Sequence, residues 1–82
     1  MVTVAYDKRF ERTIRKIKDA GLKERVKKQI MKVVENPETG KPMRFARKGT
    51  REVYVPPFRL SYAYAKEEEK IIFLELYHKD KQ

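Results

Sequence analysis

REVYVPPFRLSYAYAKEEEKIIFLELY, residues 51–77, holds three apolar-rich runs separated by a Pro56-Pro57 pair and by the polar AKEEEK of residues 65–70. The runs are rich in Val, Ile, Phe and Tyr and alternate with a period of two, the pattern of half-buried strands. Neither proline has an amide hydrogen for a strand ladder, so the pair closes the first connection tightly. AKEEEK is short enough for a second antiparallel hairpin. Three antiparallel strands are therefore expected over 51–55, 58–65 and 70–77.

Alternation also sorts the side chains between the two faces. Phe58, Leu60, Tyr62 and Tyr64 share one face with Val53 and Val55, and Ile72, Leu74 and Leu76 fit the same core side. The other face displays Glu52, Tyr54, Arg59, Ser61, Glu75 and Tyr77. Such a face is either a work surface or simply the wet side of a sheet.

Upstream, VTVAY (2–6) reads as a further short strand and Asp7 as a helix N-cap. Phe10, Ile14 and Ile17 then recur at the spacing of one helical face. Gly21 reads as a helix break or C-cap, with a second helix from near Leu22 through Val26, Ile30 and Val33 to Asn36-Pro37. Residues 38–50 lack periodicity and read as a loop. The order β-α-α-β-β-β predicts an α+β fold, a small antiparallel β-sheet with a helical hairpin packed on one face. Residues 1–82 form a single domain without internal repeats.

The chain has 21 Lys and Arg against 12 Asp and Glu, a formal charge of +9. A field that strong on so small a body favours a polyanionic partner. Residues 8–32 hold eleven basic and three acidic side chains, as a solvated helix surface also can. Residues 41–59 hold six basic and one acidic, and Arg47, Lys48, Arg51 and Arg59 crowd the passage from loop to sheet. With no cysteine, disulfides and thiolate metal sites are out of reach, and a cytoplasmic location is expected. No apolar run is long enough for a membrane span and no signal peptide is evident.

Several chemistries lack their residues. The glycines at 21, 40 and 49 are scattered singly, so there is no phosphate-cradling loop. Ser61 is the only serine, which leaves no triad. Glu67, Glu68 and Glu69 are consecutive in a turn and point apart, so no metal and no cofactor is expected. Metal-independent RNA cleavage fits what remains. The substrate's own 2′-hydroxyl attacks the phosphodiester, and the protein supplies alignment, proton transfer and positive charge. Arg59, fixed on a strand, suits the phosphate, since a guanidinium binds phosphate oxygens in a fork. Arg47, Lys48 and Arg51 add charge from the loop. His78, Lys79 and Lys81 offer acid–base groups or cations, although a lone histidine at a strand end equally serves as a cap. Tyr54 and Tyr77 are placed for base stacking.

These elements in this order resemble the RelE/ParE superfamily of bacterial and archaeal type II toxins over nearly the whole chain. The resemblance is carried by an opening strand before FERTIRKIKD (10–19), by LKERVKKQIMKVVENPETGKPMR (22–44), and by GTREVYVPPFRLSYAY (49–64) with IIFLELYHKDKQ (71–82). It implies a toxin held by a cognate antitoxin, RelB-like, acidic and partly disordered, with the ribosome and mRNA as targets. RelE-like members cleave mRNA in the ribosomal A site. Arg59 matches their strand arginine and Arg44 the arginine of their loop, while Glu52 and Tyr54 stand where they carry two lysines. The ending YHKDKQ resembles relatives that place His and Lys there. The implied catalytic set is Arg59, Tyr54, His78 and Lys79; the implied RNA-binding set is Arg44, Arg47, Lys48, Arg51, Tyr77 and Lys81. A ParE-like DNA gyrase inhibitor without nuclease activity and an inactive RelE-like binding domain share the same pattern.

Overall fold

The computed structural model describes residues 2–43 and 49–78. Strand β1 (Thr3–Tyr6) leads into helix α1 (Lys8–Lys16), whose N-cap Asp7 accepts the Arg9 amide at 2.8 Å. That bond holds the Asp7 carboxyl below its ordinary value. Phe10 is buried, and Ile14 and Ile17 pack against the core, as their spacing predicts.

The break between the helices lies at residues 17–19, before Gly21. Asp19 accepts hydrogen bonds from the amides of Gly21 and Leu22, so helix α2 (Ala20–Glu35) starts before the glycine and contains it. A carboxylate that satisfies two otherwise orphan amides sets a helix start more firmly than one glycine sets a stop. Helix α2 buries Leu22, Val26 and Val33 and ends at Asn36, as expected.

The segment read as a loop contains a two-residue strand, β2 (Lys41–Pro42), antiparallel to Glu52 and Arg51. A proline is tolerated there because β2 is an edge strand. Strands β3 (Thr50–Val55), β4 (Phe58–Ala65) and β5 (Lys70–His78) form the antiparallel meander predicted, joined by Pro56-Pro57 and by a turn ending at Glu69. Sheet order is β1-β5-β4-β3-β2, and β1 runs parallel to β5, so the sheet is mixed and open.

One prediction about β5 changes. Ile71 and Phe73 are fully buried, whereas Ile72 and Leu74 are half-exposed. Ser61 pairs with Glu75 but Tyr62 pairs with Phe73, which leaves Leu74 as the extra residue of a β-bulge. The bulge shifts the alternation by one, so residues before it follow the opposite phase from Leu76.

The core lies between the sheet and the helices. Tyr6, Phe10, Phe73 and Tyr62 form an aromatic cluster with centroids 5.6–6.0 Å apart. Tyr62, fully buried, also fastens the segment after α2. Its hydroxyl donates to the Pro37 carbonyl at 2.8 Å and accepts the Gly40 amide at 2.9 Å. Gly40 lies so close that a Cβ would come within 2.8–2.9 Å of two ring carbons. Among the described residues no helix is long and apolar enough to cross a membrane.

Candidate functional site

The sheet face away from the helices carries two cross-strand rungs: Tyr54–Arg59–Tyr77 and Glu52–Ser61–Glu75. Alternation predicts all six residues on this face. Ser61 is only 5% exposed and donates to the Glu75 carbonyl, so it forms the floor of the surface.

Glu52 organises the site. One carboxylate oxygen accepts from the Arg59 guanidinium at 3.2 Å, and the other accepts from the Tyr77 hydroxyl at 2.8 Å. The Arg59 and Glu52 side chains keep 32% and 18% of their exposure, so the pair is half-shielded yet open to a ligand. Tyr54, 50% exposed, stands beside Arg59 as its direct partner on β3. Lys41 reaches this group from β2, where it is the cross-strand partner of Glu52. Lys41, Glu52, Tyr54 and Arg59 line a shallow cavity of about 260 Å3. A forked cation, an ammonium, a carboxylate and an exposed aromatic ring are thus held within one concavity.

Among the described residues, two of the other predicted ones fall elsewhere. His78 pairs with Phe58 and meets its ring edge-on at 5.5 Å. Phe58 packs on the core, so His78 faces the helices, on the other side of the sheet from Arg59. Its parity with Leu76 carried that signal in the sequence. Arg51 donates to the carbonyls of Glu38 and Gly40 at 3.1 and 2.7 Å, so it ties the segment after α2 to β3. Arg44, Arg47, Lys48, Lys79 and Lys81 lie outside the described residues. Lys41 was missed because a two-residue strand leaves no periodic trace.

A second, larger concavity of about 590 Å3 lies between the helices and β1. Ile14, Ile30 and Met31 give it an apolar lining, and Arg15, Lys23 and Lys27 place positive charge around it. Met31 is 55% exposed there and Tyr6 47%. Among the described residues no group of three His, Asp or Glu side chains gathers in a metal-binding arrangement.

Solved structures with this fold span the chain almost end to end. The toxin–antitoxin complex RelBE of E. coli contains a chain that superposes with a TM-score of 0.81 at 18% identity, covering 95% of this chain and 96% of that one. A YoeB/ParE toxin from Agrobacterium tumefaciens gives 0.81 at 12% identity, with coverage of 94% and 98%. The archaeal RelE–RelB complex from Pyrococcus horikoshii gives 0.77 at 11%, with 99% and 98%. No curated protein matches the sequence. The helical hairpin on an open mixed sheet is the fold of the small RelE/ParE toxins. The chain belongs to the ParE toxin family of type II toxin–antitoxin systems, whose model matches residues 4–82.

Proposed function

We propose that this toxin blocks translation by cutting mRNA on the ribosome. The observation that carries the reading is the arrangement of Arg59, Glu52, Tyr54 and Lys41 around one cavity on the open face. A scissile phosphate that docks on Arg59 takes over the guanidinium and leaves a Glu52 oxygen open to the neighbouring 2′-hydroxyl. Glu52 accepts the hydroxyl proton, the 2′-oxygen attacks phosphorus, and the bond to the 5′-oxygen breaks. Arg59 stabilises the charge that develops on the phosphorane. Lys41 supplies the departing oxygen with a proton, and Tyr54 stacks against a base. Glu52 thus serves as proton acceptor at a position where the resembled toxins carry a lysine.

A cognate antitoxin of the RelB kind is the inferred partner. The two relatives solved as complexes support it, as does the apolar groove between the helices, whose basic rim complements an acidic segment that folds on binding. A second reading, inhibition of DNA gyrase without nuclease chemistry, is favoured by the match to the ParE family.

Toeprinting of mRNA on stalled ribosomes with purified protein tests the proposal. A-site cuts are expected, with a loss of about 10²-fold or more in Arg59→Ala, the usual effect of removing a charge-stabilising donor. Intact mRNA, together with gyrase-dependent DNA breaks, would transfer the conclusion to the second reading.

A further inference from the structure

The end of the β3–β4 hairpin, which carries Tyr54 and Arg59, turns backbone carbonyls towards an open edge. Pro56 and Pro57 have no amide hydrogens, and β2 pairs only with Arg51 and Glu52. The carbonyls of Tyr54 and Pro56 therefore lie beyond the strand that would otherwise serve that edge. Helix α2 supplies the donors. Gln29 Nε2 donates to the Tyr54 carbonyl at 3.0 Å, and the Arg25 guanidinium donates to the Pro56 carbonyl at 2.8 Å.

Residues 25 and 29 are one turn apart, so both side chains leave the same face of α2. They reach carbonyls two residues apart on the hairpin. The helix beneath them is anchored by Val26 and Val33, both essentially fully buried. Both hydrogen bonds are solvent-exposed, where such bonds add little to global stability. Their effect is local: they hold the turn against a rigid helix.

We infer that Arg25 and Gln29 are positioning residues of the Arg59 site. They fix the hairpin end so that Tyr54 and Arg59, direct cross-strand partners, are presented to RNA at one spacing. The inference rests on the nuclease reading and deepens it, because catalysis by alignment is sensitive to displacements of about 1 Å.

Gln29→Glu keeps the shape of the side chain but sets an acceptor against the Tyr54 carbonyl, while Gln29→Lys keeps a donor of similar reach. Single-turnover cleavage of ribosome-bound mRNA is expected to fall about 10-fold in Gln29→Glu. The half-saturating ribosome concentration and the melting midpoint should stay unchanged, and Gln29→Lys should recover most of the rate. Arg25→Lys should likewise cut faster than Arg25→Ala. Equal rates in the glutamate and lysine variants, or a loss that follows the melting midpoint, would overturn the inference. Should the wild-type protein cut no RNA, the nuclease reading fails by itself. The positioning is then read from 15N–1H spectra. The Arg59 Nε–H and Phe58 amide resonances should move in Gln29→Glu and return in Gln29→Lys, and resonances that stay in place would refute it.

Discussion

Removing the Tyr62 hydroxyl tests how the site's outermost strand is held. The chain leaves α2 at Asn36 and must place Lys41 beside Glu52 within a few residues. Tyr62→Phe deletes two hydrogen bonds at once, to the Pro37 carbonyl and from the Gly40 amide. Each contributes about 1 kcal/mol net. Pro37 is half-exposed and its carbonyl can turn to water, but Gly40 is buried against the ring. Its amide is left without a partner, which costs about 1–3 kcal/mol in place of that net figure. The expected destabilisation is roughly 2–4 kcal/mol, a fall in melting midpoint of about 10–30 °C for a domain of this size. Urea unfolding followed by circular dichroism measures it, with Tyr54→Phe on the open face as a control expected to stay within about 0.5 kcal/mol. A Tyr62→Phe protein as stable as that control, with an unchanged m-value, would mean that the hydroxyl does not anchor the segment.

The same hydroxyl predicts a response to alkali. Burial raises it above its ordinary 10.0, against the opposing pull of the Gly40 amide. The unfolded chain thus ionises first, and stability, complete below pH 10.0, declines as the pH climbs towards the raised value. Melting curves across that range should flatten in Tyr62→Phe, and an identical slope would count against the assignment. Gly40→Ala should destabilise even though its chemistry is mild, because the added methyl meets the Tyr62 ring; a melting midpoint at or above wild type would show that the ring moves aside freely. Glu52→Gln keeps the shape of the side chain but removes the proton acceptor, so RNA cleavage should fall by about 10²-fold or more. An unchanged single-turnover rate would exclude Glu52 as the base.

Strand alternation was enough to place Glu52, Tyr54, Arg59 and Tyr77 on one face, since each adjoins a clear apolar neighbour (Val53, Phe58 or Leu76). The β5 bulge left no such trace. IIFLEL is apolar at five of six positions, so one extra residue can be inserted without spoiling either phase. The placement of Lys41 and the contacts of Arg51 were illegible for a shared reason. Both depend on the segment after α2 folding back across β3, a long-range approach set by the buried Tyr62 and the small Gly40. Gly21 misled because local propensity for a helix stop was weighed without the competing cap at Asp19. The cations at 44, 47, 48, 79 and 81 lie outside the described residues, so their placement adds nothing to the site either way.

Leu74 has a consequence for tracing kinship among such chains. Because the bulge absorbs one residue, a relative without it can match this chain side chain for side chain on both flanks and still be one position shorter. A comparison forced through β5 without a gap would then set Glu75 against a core position and Tyr77 against one that faces the helices. At identities of 11–18%, a slip of that kind erases the agreement that remains in the strand. Ancestry in this segment is therefore better followed through inward and outward facing than through residue count.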